Sequence, residues 1–151
     1  MESWKIEALE GVRHTLARYV VCTDSRLYEE FFSLFAEDGE FVLPKGEVGV
    51  GPAGVAALLK EKGEAYAPIQ VWAPAFLRHN MTTVDIEVLS PTEARVEAYF
   101  MVCTDRGLDH WGRWVDRLRR HDDGRWLFQR REVHTEASYA DSWYATSFSK
   151  V

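Results

Sequence analysis

The sequence has only two cysteines among 151 residues, and neither lies in a CxxC or other metal-like pairing. Cys22 and Cys103 therefore read as buried free thiols of a reducing compartment rather than as parts of a disulfide framework. Long apolar runs are missing as well. No stretch approaches the roughly 18 residues a membrane-spanning helix needs, and "MESWKIEALEGVRH" lacks the apolar centre of a secretory signal. The expected location is the cytoplasm. Positive charge is scarce: 18 Lys and Arg face 24 Asp and Glu, for a net charge of -6 and a pI near 5.4. That balance argues against nucleic acid and against an anionic membrane as partners. The one basic cluster, Arg113, Arg117, Arg119 and Arg120, shares its segment with Asp109, Asp116, Asp122 and Asp123 and reads as a charge-mixed hairpin. The glycines of "KGEVGVGPAGVAALLKEKG" are not followed by Lys and then Ser or Thr, so they form no phosphate loop. His14, His121 and His134 have no spacing that would hold a metal together with other candidate ligands, and no metal is expected.

What the chain does have is apolar and aromatic content, 46% and 13%, enough for one domain spanning residues 1–151 with a substantial core. Helical spacing predicts a first helix from a Ser3 cap to about Thr23, with Ile6, Leu9, Leu16, Tyr19 and Val20 inward. Leu9, Val12, Leu16 and Val20 form a stripe whose next step is Asp24, a carboxylate in an apolar position. "SRLYEEFFSLFAEDG" predicts a second helix stopping at Gly39 in a left-handed cap, followed by a short strand "GEFVLP". A loop through Pro52 then feeds a short helix ending at Gly63.

Beyond residue 76 the texture becomes strand-like. "FLRHNMTTVDIEV", "ARVEAYFMV", "WGRWVDRLRR" and "RWLFQRREVHT" are separated by turn-forming segments and predict consecutive antiparallel strands. Ala94, Val96, Ala98, Phe100 and Val102 alternate cleanly and should face the core. In the preceding strand the apolar phase flips between Met81 and Val84, which predicts a bulge at Thr82 and Thr83. Trp111 to Leu118 is apolar on both faces, as expected if one face packs on the core and the other on a second subunit, so a homo-oligomer, dimer or trimer, is expected. The fold class is α+β, with helices on one face of a curved antiparallel sheet.

Taken together, "ARYVVCTD", "FFSLFAEDGEF", "GPAGVAALL", "LRHN" and "GRWVDRLRRHDDGRWLFQRREV" resemble, in this order, the SnoaL-like members of the nuclear transport factor 2-like superfamily. The resemblance covers most of the chain and implies a cone-shaped α+β fold, a bent antiparallel sheet and N-terminal helices enclosing a pocket. It spans polyketide cyclases, dehydratases, isomerases and noncatalytic proteins. Enzymes of this group such as scytalone dehydratase and bile-acid dehydratase place an Asp after the first helix and a His on the third strand inside the pocket, and Asp24 and His79 resemble those positions. Tyr19 resembles a tyrosine of the bile-acid enzyme.

An Asp hydrogen-bonded to one imidazole nitrogen fixes the tautomer, so the other nitrogen can take a proton from a carbon beside a carbonyl, with no cofactor. Tyr19 would stabilise the enolate oxygen, with Arg131 or His110 as further helpers. The plainer alternatives are that Asp24 caps the second helix, that His79 and Tyr19 are core residues, that Arg131 stabilises the sheet, and that His110, beside a turn, is exposed. Trp72, Phe76, Tyr99, Phe100, Trp114 and Phe128 are the expected lining for a small hydrophobic, ring-bearing substrate. A dehydratase, isomerase or cyclase is thus one expectation. A noncatalytic small subunit of an aromatic-ring-hydroxylating dioxygenase, or a binding module without catalysis, is the other.

Overall fold

The computed structural model describes residues 2–151. Helix α1 (Ser3–Ser25) is followed by a short α2 (Tyr28–Ser33), strands β1 (Phe35–Val42) and β2 (Val48–Val50), and helix α3 (Gly51–Tyr66). Four long strands come next: β3 (Arg78–Ser90), β4 (Glu93–Thr104), β5 (Gly107–Arg120) and β6 (Trp126–Ser138). A cap of α4 (Trp143–Thr146) and a single 3-10 turn at Phe148–Lys150 completes the chain. The six strands form one sheet in the order β2-β1-β6-β5-β4-β3.

The long strands pair antiparallel as their alternation predicts, and Ala94, Val96, Ala98, Phe100 and Val102 are all buried. The ladder between β3 and β4 shifts register between Met81 and Val84, where the apolar phase flips. One pairing departs from the expected all-antiparallel sheet: β1 runs parallel to β6, with Phe41 opposite Arg131. The chain from Phe35 to Asp38 belongs to this strand and not to a helix, because pairing with β6 overrides the local helical spacing. Gly39 is accordingly no helix cap. A Cβ there would stand 2.4 Å from the Phe128 carbonyl oxygen, so only glycine permits the close approach of the two strands.

Helix α1 buries Ala8, Val12, Thr15, Leu16, Tyr19 and Cys22, a stripe rotated from the expected one, and leaves Ile6 half exposed. Ser3 is the first helical residue and Glu2 the N-cap, with no side-chain cap bond. Helix α3 continues past Gly63 to Tyr66, since an isolated glycine costs a helix only about 1 kcal/mol. Pro68 then lies in a 3-10 turn. The core between helices and sheet is an aromatic cluster in which Tyr19 meets Phe31, Trp114 and Phe128 at centroid separations of 5.1, 5.3 and 5.7 Å.

Candidate active site

Asp24 sits in the last turn of α1, near the negative end of the helix dipole, where a second negative charge is unfavourable without a partner. Its partner is His79, one residue into β3. Asp24 Oδ2 accepts the backbone N–H of His79 at 3.0 Å, and Asp24 Oδ1 lies 2.6 Å from His79 Nδ1. The carboxylate is thereby held from two directions by one residue, 55 positions along the chain. Asp24 is not a cap for α2, whose N-cap is Leu27 and which carries no side-chain cap bond. An ionised carboxylate is acceptor-only, so the Nδ1 facing it is the donor, and in the neutral imidazole the basic nitrogen is then Nε2.

His79 borders a half-open cavity of about 180 Å³ between α1, α3, the inner face of the sheet and the C-terminal cap, with Leu43, Pro44 and Leu77 also in its wall. Tyr19 and Thr23 of α1, Phe100, Trp114 and Val133 of the sheet, and Trp143, Tyr144 and Phe148 of the cap all contribute to its wall. No Lys, Arg, Asp or Glu does. Burial raises the Tyr19 hydroxyl above its ordinary range against the opposing pull of Arg131, so Tyr19 remains a hydrogen-bond donor at neutral pH.

A second histidine faces the same cavity. His110, expected to be exposed, is buried, and its Nδ1 lies 2.8 Å from Asp109 Oδ2. Asp109 is likewise no turn residue: it lies in β5 and its carboxylate also accepts the backbone N–H groups of Trp143 at 2.7 Å and Tyr144 at 3.1 Å. Burial lifts the Asp109 carboxyl, but the hydrogen bonds from His110 and the cap outweigh it and hold it below the usual carboxylate range. Burial likewise lowers His110, against the opposing pull of Asp109, so its imidazole is neutral at pH 7. The Tyr144 ring stacks on it, with centroids 4.6 Å apart. The signal for His110 was present in the sequence: counting back by twos from Leu118, Asp116, Trp114 and Gly112 places it on the inward face.

Other expected lining residues lie elsewhere. Arg131 does not line the cavity; it is fully buried behind it, making two hydrogen bonds to Asp116 at 2.8 and 2.6 Å. Its guanidinium is packed against the rings of Tyr19, Trp114 and Phe128, 3.9, 4.4 and 4.2 Å from their centroids. Phe128 is core, supporting this arrangement from below. Tyr99 points away from the cavity because it has the opposite strand parity to Phe100, and it is half exposed on the outer face. Trp72 lies under Arg106 and donates to the Asp141 carbonyl, whereas Phe76 is exposed beside Arg78. Both precede β3 in irregular chain. Among the described residues no three His, Cys, Asp or Glu side chains converge to hold a metal ion.

A curled sheet closed by helices over an apolar cavity, with carboxylate-backed histidines in its wall, defines a cone-shaped α+β pocket protein of the nuclear transport factor 2-like type. Residues 4–132 match the SnoaL-like domain. The chain belongs to that family. Among solved structures, a protein provisionally assigned as a scytalone dehydratase from Novosphingobium aromaticivorans is similar, with a TM-score of 0.76, 22% identity and coverage of 92% of this chain and 91% of that one. A hexachlorocyclohexane dehydrochlorinase from Novosphingobium barchaimii gives a TM-score of 0.73 at 14% identity over 90% and 91% of the two chains. A Catenulispora acidiphila protein in complex with S-DNPA gives 0.68 at 27% identity over 85% and 93%. No curated protein matches significantly. No helix among the described residues is long and apolar enough to cross a membrane.

Proposed function

We propose that the protein is a cofactor-independent acid/base enzyme of the dehydratase, isomerase or cyclase type, acting on a small hydrophobic, ring-bearing substrate. The observation that carries this reading is the two-point clamp of Asp24 on His79 at the cavity wall. His79 Nε2 takes a proton from the carbon beside a substrate carbonyl, and the electron pair moves onto the carbonyl oxygen, which Tyr19 stabilises by donating a hydrogen bond. The same proton, now on the imidazolium that Asp24 supports, passes to a departing hydroxyl in an elimination or to another carbon in an isomerisation. His110, neutral and with Nδ1 engaged by Asp109, presents Nε2 as an acceptor that orients a substrate hydroxyl. The dehydratase and dehydrochlorinase names borne by similar structures support an elimination, and the small ligand held by a third supports a pocket function.

The test needs no knowledge of the natural substrate. Cyclic ketones incubated with the protein in D2O should exchange their α-protons faster than the buffer background, as read by NMR, and His79→Ala should abolish the excess. Exchange at the background rate with every cyclic ketone tried would sink the reading.

Two further assignments belong to this proposal. The outer sheet face, where Tyr99 and Met101 are exposed and Trp111 packs edge-on against Tyr139, is the contact surface of a homo-oligomer, most simply a dimer. Sedimentation at micromolar concentration should show a dimer or trimer that Trp111→Glu dissociates; a monomeric wild type would refute it. Free Cys22 and Cys103 support a cytoplasmic setting.

A further inference from the structure

We infer that the cavity takes the neutral, single-ring portion of its substrate, and that Phe148 of the C-terminal cap sets that size limit. This rests on reading the cavity as the substrate site, but it concerns binding and not turnover.

The charge argument comes from the wall. None of its side chains is Lys, Arg, Asp or Glu, and the charges just behind it are paired, with only Arg131 Nη1 left without a hydrogen-bond partner. Arg131 is bound bidentately by Asp116, Asp24 is bound by His79, and Asp109 is bound by His110 and two cap amides. An anion entering here loses its water, finds no cation and meets the fields of Asp24 and Asp109. An ammonium finds both carboxylates occupied by N–H donors. Either ion therefore bears a desolvation cost that a ketone or alcohol of the same shape does not.

The size argument comes from the volume. An apolar cavity of roughly 150 Å³ takes benzene, so about 180 Å³ accommodates one six-membered ring with a small substituent and not a fused pair. Three of the bounding layers are long elements of regular structure: α1, the inner sheet face and α3. The fourth is the cap, built from a four-residue helix and a three-residue turn. Within it Tyr144 is stacked on His110, and Trp143 is hydrogen-bonded through its backbone to Asp109 and through its indole N–H to Gln70. Phe148 has no polar tether. It touches Tyr66, Trp143 and Tyr144 only through ring contacts, at 5.9 Å between centroids in each case. Phe148 also stands between this cavity and an adjoining cleft, since it lines both, together with Leu43, Pro44 and Tyr144. Truncating it would add the space of its ring to the cavity.

The experiment measures the binding of four ring compounds to the protein by isothermal titration calorimetry. Cyclohexanone should bind the wild type at least about tenfold more tightly than cyclohexanecarboxylate or cyclohexylammonium, and at least about tenfold more tightly than the fused-ring 2-decalone. In Phe148→Ala the preference between cyclohexanone and 2-decalone should reverse, and in Phe148→Leu, which keeps the cap apolar should the alanine variant unfold, it should narrow. Equal binding of either ion, equal binding of 2-decalone by the wild type, unchanged selectivity in folded Phe148 variants, or no binding of any compound at millimolar concentration would overturn the inference. A protein that selects cyclohexanone yet exchanges no α-proton would refute the catalytic proposal and leave this one standing.

Discussion

Replacing Asp24 by asparagine separates orientation from packing, because the two side chains have the same shape. The backbone N–H of His79 requires an oxygen where Oδ2 now sits, 3.0 Å away. In the asparagine variant that requirement directs the amide NH2 to the Oδ1 position, 2.6 Å from His79 Nδ1. A ring nitrogen facing an amide donor must be the acceptor, so the imidazole proton moves to Nε2 and the base at the cavity wall disappears. Both hydrogen bonds survive without their charge assistance, so the stability cost is about 1 kcal/mol. The catalytic cost is that of a lost general base, about 10² to 10⁴ in rate. His79→Ala should fall in the same range, and the double variant should lose little more than the worse single one, because the two residues act as a unit. The assay is deuterium exchange of cyclic ketones alongside thermal unfolding of each variant. A folded Asp24→Asn protein with undiminished exchange would refute the tautomer argument.

Removing only one partner of the buried Asp116–Arg131 pair, as in Arg131→Met, should cost about 3 to 5 kcal/mol by leaving a carboxylate unpaired; in chemical denaturation, Asp116→Leu with Arg131→Met should be markedly more stable than Arg131→Met alone. His110 is depressed below the ordinary histidine value by burial, so its stabilising contribution is complete above about pH 6.5 and is lost as pH falls through its folded value. Stability of the wild type should therefore decline on mild acidification, and His110→Gln should flatten that decline; an unchanged slope would contradict the assignment. Asp109, held below the carboxylate range, adds a second loss at more acid pH, with the same sign. Gly112→Ala should lower stability by about 2 kcal/mol or more, since the new Cβ would lie 1.9 Å from the His134 carbonyl oxygen; an unchanged melting temperature would show that β5 can shift there.

Much of this was legible in the chain because period-2 patterning is local. The inward set from Ala94 to Val102 and the bulge after Met81 follow from residue parity alone. The same rule, applied further, excludes Tyr99 from the cavity and brings Asp116 and His110 inward, but a strand rich in charge reads as solvated when its partner is unknown. Asp116 is buried because Arg131 on the neighbouring strand meets it, a contact no spacing within β5 reveals. Asp109 is hidden for a similar reason, since the amides it accepts lie some 34 residues later. The segment from Phe35 to Asp38 satisfies a helical period and yet is a strand, because its hydrogen-bond partners on β6 are more than 90 positions away. The position of Asp24 was noticeable as a break in an apolar stripe; its partner was suggested by the resemblance and not by the stripe.

The parallel pairing of β1 with β6 also constrains the order in which the chain can assemble. Residues 35–42 are synthesised early, but their only long neighbour in the sheet is residues 126–138. Until the ribosome has released that last strand, β1 has a short hairpin partner in β2 on one side and an open edge on the other, while Phe35 and Phe41 can meet only Phe31 and Tyr19 of the preceding helices and not Phe128. The β3 to β5 meander closes from near neighbours and forms without waiting. Folding of this protein therefore has a late, non-local step in which the N-terminal half is seated all at once, and the nascent chain is most prone to aggregate in the interval before β6 arrives.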